Sequence, residues 1–171
     1  MKTIHKIGFG GGCHWCTEAV FQALIGVNSV KQGWIASTKE NTEFSEAVII
    51  EYNTTIIPLE VLIEIHLLTH KSTSKHSMRK KYRSAIYTFN EMENTSINLI
   101  LKKLQSNFKT KLITQVLPFK TFKPSREAIT NYYTKNPEKP FCKTYINPKL
   151  KILINQFSEF TKTETISQLT P

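Results

Sequence analysis

Three consecutive glycines, Gly10, Gly11 and Gly12, separate the stretch TIHKIGF (3–9) from a run in which Ala19, Val20, Leu24 and Ile25 recur near helical spacing. The first stretch alternates as a strand does and the second carries the period of a helix. The glycines between them permit a tight turn or a close backbone approach. Gly26 is placed to stop that helix. Strands are predicted over 29–37 and 46–53, and Pro58 opens a helix over 59–70. A strand over 82–89 follows, then a helix capped by Asn90 and running to about Phe108, then a strand over 111–119. PSREAITNYYTKN (124–136) reads as a helix, NPEKPFCKTYINP as a loop with prolines, and KLKILINQFSEF as a last short helix. The order β-α-β-β-α-β-α-β-α is not a strict βαβ succession. It predicts an α+β fold, a two-layer sandwich of a mixed sheet with helices packed on it. No internal repeat or linker divides the chain, so residues 1–160 read as a single catalytic domain and 161–171 as a polar, disordered tail.

Hydrophobic residues make up 40% and charged residues 21%, as in an ordinary soluble domain. No apolar run reaches the ~18 residues that span a bilayer. The opening MKTIHKIGFGGG lacks the apolar stretch of a secretory signal. Three cysteines are too few for a disulfide scaffold, which points to free thiols in a reducing cytoplasm. The net charge of +10 raises nucleic acid as a partner. Its cations are spread along the chain, with one cluster at KHSMRKKYR (75–83), and no nucleic-acid motif accompanies them. A solvated basic surface, with neither nucleic acid nor membrane as partner, is the expectation.

Two of the three cysteines lie in CHWC, at the expected helix start. There the Cys13 sulfur meets the positive end of the helix dipole and unpaired backbone N–H groups, which favour the thiolate and so a nucleophile. Cys16 lies one turn on, within disulfide reach. Redox chemistry, a metal clip and buried structural thiols all fit this spacing. For zinc, His66, His70 and His76 are the additional candidates, His66 and His70 standing at i,i+4. His66 lies in an apolar stretch, where a core histidine is the competing reading.

GGGCHWCTEAVFQALIGV resembles the signature of the A-type peptide methionine sulfoxide reductases, Gly-Cys-Phe-Trp followed by Gly or Cys and shortly by Glu. SEAVIIEYN is similar to the family strand with a buried glutamate, matched by Glu46. YRSAIY is similar to the strand that begins with a site tyrosine, matched by Tyr82. NYYTKNPEKPFCKTYINPKL is similar to the segment with a resolving cysteine, matched by Cys142. The likeness covers most of residues 4–150 in the same order.

This resemblance implies a ferredoxin-like core and a thiol-based reduction of methionine S-sulfoxide, free or in peptides, without a cofactor. Cys13 would attack the sulfoxide sulfur and become a sulfenic acid. Glu46, a buried carboxyl retaining its proton, would protonate the oxygen, with the Tyr82 hydroxyl as second donor. Of Cys142 and Cys16, which compete to condense with the sulfenic acid, the resemblance favours Cys142, with a relay through both as the alternative. A thioredoxin-like reductant would reset the site. Trp15 and its neighbour would grip the substrate methyl group.

Several positions depart from that pattern. The aromatic neighbour of Trp15 is His14, which adds polarity and a proton-carrying ring. The segment between Gly33 and Glu46 is short, Ser77 stands where an aspartate belongs, and Ile129 replaces a histidine. Trp34 takes the place of a tyrosine. The nucleophile, acid and resolving thiol survive better than the substrate frame. The competing functions are thiol–disulfide exchange through Cys13 and Cys16, which does not need Glu46, and a metal-binding module.

Overall fold

The computed structural model describes residues 3–169. The elements run β1 (Ile4–Gly10), α1 (His14–Gln22), β2 (Val27–Ala36), β3 (Ser45–Asn53), α2 (Leu59–Leu68), β4 (Ala85–Thr88), α3 (Met92–Leu104), β5 (Gln115–Pro118), β6 (Thr121–Pro124), α4 (Tyr132–Lys135) and α5 (Asn147–Gln156). The strands form one sheet in the order β5-β4-β1-β3-β2-β6. Among the described residues only the β4–β5 pair is parallel. The inner four strands, with α1 after β1 and α2 after β3, make the expected ferredoxin-like core.

Side chains alternate across a strand, so β3 divides its residues between two faces. Val48, Ile50 and Tyr52 join Ile7 and Phe9 under α1 and α2, in the larger core. Ala47 and Ile49 join Ile35, Ala85 and Tyr87 in a smaller cluster on the opposite face, covered by Leu117, Phe119 and Phe122. Phe9 stacks on Phe21 of α1, ring centres 4.7 Å apart, a contact worth about 1 kcal/mol beyond burial. By the same alternation Glu46 points to the helical face. Phe9 pairs with Val48, so Glu46 stands two residues further along, level with the glycine turn and opposite Trp34.

The two outermost strands are four residues long and each ends in a proline, Pro118 in β5 and Pro124 in β6. Proline gives no ladder donor and is tolerated at such edges. β6 was not expected. It pairs with β2 where Gly33 allows it: a Cβ there would stand 2.2 Å from the Lys123 carbonyl.

Three expectations need correction. The helix over 124–136 is broken, because Asn131 takes a left-handed conformation (φ 52°) between a short 3-10 turn, Glu127–Ile129, and α4. The segment around Cys142 is not a loop: Pro140 opens a helical stretch that becomes a π-helix over Cys142–Ile146 and leads into α5. Within the expected tail, residues 161–166 are anchored to the domain. Leu24 bridges to Thr161, the Lys162 N–H donates to the Ala23 carbonyl, and Ile166 is buried in the main core.

Candidate active site

Cys13 caps α1 with extended backbone (φ −57°, ψ 128°), and its carbonyl accepts from the N–H groups of Cys16 and Thr17. The turn before it tolerates no side chain at Gly11, where a Cβ would stand 2.4 Å from the His70 ring. Cys13 is half-buried and lines a cleft of about 460 Å³ together with Cys16, Lys71, His76, Tyr82, Phe141 and Lys149. Its thiol is held below the ordinary thiol range. The largest cause is a hydrogen bond from Cys16; burial opposes it, the Trp15 N–H helps, and the negative charge of Glu46 works against it. Cys16 is pushed strongly upward by the same hydrogen bond and by burial, so it keeps its proton and donates it to the neighbouring sulfur. The pair thus divides into a nucleophile and its hydrogen-bond donor.

Glu46 is buried, and Oε1 accepts from the His14 backbone N–H at 3.2 Å. The His14 ring nitrogen Nε2 is 3.4 Å from the same oxygen, and Lys81 Nζ is 3.7 Å from Oε2. The 81–83 loop is tied to the start of β3: the Lys81 carbonyl accepts from Glu46 N and Ser45 Oγ, and Arg83 N donates to Ser45 Oγ. This brings Tyr82 to the cleft wall beside Lys81, whose Nζ lies 5.1 Å from the Tyr82 ring centre. Lys81 is held above its ordinary range, first by its hydrogen bond to Tyr82 and then by the charges of Tyr82 and Glu46.

His14 and Trp15 do not form the joint aromatic grip expected of them. His14 is 4% exposed and turns toward the sheet, because both ring nitrogens find polar partners there: Gly33 O at 2.8 Å from Nδ1, and Glu46. Trp15 turns the other way and stacks on Tyr132, ring centres 4.0 Å apart, with Phe141 edge-on at 5.4 Å. Glu18 supports this group: its two carboxylate oxygens accept from the backbone N–H groups of Asn131 and Tyr132. Cys142 follows Phe141 but does not swing freely. It is fully buried in the π-helix, its thiol pushed upward by that burial. Ser77 is exposed and absent from the cleft wall.

The histidine candidates for zinc are otherwise engaged. His66 Nε2 donates to the Gly10 carbonyl at 2.8 Å, and both ring nitrogens of His70 have partners, the His66 carbonyl and Ser84 Oγ. Among the described residues no three His, Cys, Asp or Glu side chains are grouped to hold a metal. Burial pushes His66 down to about 3. The unfolded chain takes up this proton near 6.5 and the folded one does not, so stability falls as pH drops from about 6.5 toward 3. Urea unfolding is expected to show a loss of about 2 kcal/mol between pH 7 and pH 5 from this residue. A His66→Gln variant, which keeps a donor for Gly10, should flatten that slope.

Sequence reasoning passed over Arg79 and Lys149. The Arg79 guanidinium donates to the carbonyls of Gly11, Ser74, Lys71 and Tyr82, clamping the glycine turn to the basic loop. Lys149 reaches from α5 to the Thr69 carbonyl and faces both thiols. Contacts to distant carbonyls leave no local pattern. Glu18 did have a signal, since a glutamate follows the cysteine in the motif.

Among the described residues no helix is long and apolar enough to cross a membrane. The family model described as peptide methionine sulfoxide reductase matches residues 5–162. A relative from Pasteurella multocida named peptide methionine sulfoxide reductase MsrA is 33% identical over 168 residues, 90% of this chain and 97% of its own. The fold is similar to that of Mxr1 from Saccharomyces cerevisiae in its reduced form, with a TM-score of 0.71, 21% identity and coverage of 84% of this chain and 91% of that one. It is also similar to Mxr1 in complex with Trx2, with a TM-score of 0.58, 20% identity and coverage of 76% and 85%. A cysteine activated at a glycine turn, a buried carboxyl beside it and a match over nearly the whole chain agree: the protein belongs to the peptide methionine sulfoxide reductase family.

Proposed function

We infer that this chain reduces methionine S-sulfoxide, free or in peptides, to methionine with Cys13 as the nucleophile. The observation that carries the reading is the cleft-lining Cys13 thiol, held low by its Cys16 donor, with the Glu46 carboxyl behind it. The Cys13 thiolate attacks the sulfoxide sulfur and the oxygen takes up a proton from Glu46, with Tyr82 as second donor. The oxygen then passes to the Cys13 sulfur as the substrate S–O bond and the new S–S bond break, so methionine leaves and Cys13 carries a sulfenic acid. The sulfur of methionine is reduced by two electrons and that of Cys13 is oxidised by two. Phe141 lines the cleft with Cys13, and with Trp15 and Tyr132 packed against it is the apolar surface we assign to the methyl group.

Resolution begins at Cys16, one helical turn from Cys13 in the same cleft, and releases one water as the disulfide forms. Cys142 matches the resolving cysteine of the resemblance and is buried in the π-helix next to Phe141, a lining residue of the cleft, so exchange along Cys13, Cys16 and Cys142 is the order we assign to the thiols. A dithiol reductant of the thioredoxin kind restores them, in line with the Mxr1–Trx2 complex of the yeast relative. Dependence on such a reductant is in keeping with a cytoplasmic location.

The test is turnover of both epimers of methionine sulfoxide, free and in a peptide, with dithiothreitol. Methionine should form from the S epimer. A count of free thiols after one turnover without reductant should show two lost in the wild type and in Cys142→Ser. In Cys16→Ser the sulfenic acid should persist long enough to be trapped by dimedone. No methionine from any substrate would overturn the reading.

A further inference from the structure

His14 stands where the resemblance expects an apolar aromatic ring, and its geometry gives it work that such a ring cannot do. Nδ1 lies 2.8 Å from the carbonyl oxygen of Gly33. A carbonyl only accepts, so Nδ1 carries a hydrogen. Nε2 lies 3.4 Å from Oε1 of Glu46, and both side chains are more than nine-tenths buried. With Nδ1 protonated, an uncharged ring leaves a bare Nε2 3.4 Å from that oxygen. Two lone pairs facing each other in a buried site repel, whereas one proton between them makes a hydrogen bond. The proton is held either as glutamic acid against neutral imidazole or as carboxylate against imidazolium. Both arrangements store one proton.

Other contacts fix the pair. The His14 backbone N–H donates to the same Oε1, and the ring packs edge-on against Trp34 at 5.0 Å. The charged and titratable groups around it are Cys13 on the turn, Lys81 at Oε2, Tyr82 beside Lys81, and Lys123 over the Trp34 ring.

We propose that His14 is a positioning residue that shares one proton with Glu46, keeping the carboxyl loaded with the proton that the sulfoxide oxygen takes up. The proposal rests on the sulfoxide-reductase reading. When Cys13 attacks, the shared proton moves through Glu46 to the oxygen that becomes the Cys13 sulfenic acid. The pair is left as carboxylate and neutral imidazole, and regains its proton from solvent before the next cycle. A proton shared by two sites is lost in a step that belongs to the pair rather than to the carboxyl.

The experiment measures the single-turnover rate of methionine formation from a sulfoxide peptide between pH 5 and 10, for wild type, His14→Gln and His14→Phe. The alkaline limb is expected to move down by about one pH unit in both variants, a roughly tenfold loss above it, with substrate affinity little changed. The acidic limb, set by Cys13 ionisation, should remain. An alkaline limb that stays put in both variants, or a wild-type limb restored by Gln, overturns the proposal, since Gln can still bond Gly33. Nitrogen-15 spectra of the wild-type histidine ring need no variant: hydrogen on Nδ1 and a bare Nε2 above the limb are expected, and the opposite tautomer overturns it. A wild type that makes no methionine refutes the reductase reading instead, while the tautomer still reports on the pair.

Discussion

Cys13→Ser is expected to form no methionine from any sulfoxide, while unfolding within about 1 kcal/mol of wild type. A serine hydroxyl stays protonated where the thiol ionises, and its oxygen cannot take the sulfoxide oxygen or close a disulfide. The nucleophile's ionisation is testable on its own. Alkylation of Cys13 by iodoacetamide should reach its plateau at lower pH than an ordinary thiol. In Cys16→Ala the profile should move upward, because the largest cause of the lowered thiol is lost. Mass spectrometry of the alkylated peptide resolves which cysteine reacts.

Glu46→Gln should slow sulfoxide reduction by about 10²–10⁴-fold. The amide still accepts from the His14 N–H but holds no transferable proton. Reaction of Cys13 with a small aromatic disulfide should be as fast as in wild type or faster. Glu46 works against ionisation of Cys13 whenever it is ionised, and the neutral amide does not. Opposite movements of the two rates separate sulfoxide reduction from plain thiol exchange, for which both would stay level. Equal rates of sulfoxide reduction in Glu46→Gln and wild type would remove Glu46 from the chemistry.

The core of the fold is readable wherever the side-chain period is unbroken. The alternation of SEAVIIEYN is enough to put Glu46 on the same face as Val48 and Ile50, and TIHKIGF followed by glycines predicts β1 and the turn that presents Cys13. The period fails where one residue changes backbone hand or where proline has two meanings. Asn131 breaks a stretch that otherwise counts as helix, and Pro140 and Pro148 start helical segments that read as loop. β6 is too short to show alternation and depends on the bare backbone of Gly33. Within the site, residue identity was legible but direction was not. His14 and Trp15 are adjacent in sequence yet face opposite ways, one toward Glu46 and the other toward Tyr132. Arg79 came through only as part of a basic cluster, although its four carbonyl partners make it a structural rivet.

The proline-ended margins of the sheet bear on how a damaged polypeptide is engaged. Pro118 and Pro124 deny an incoming strand a full set of backbone donors, so recruitment by strand addition has little to grip. A client must instead offer its oxidised side chain to the opening beside Cys13, as a plug offered to a socket. Recognition of that kind reads how far one oxidised residue protrudes.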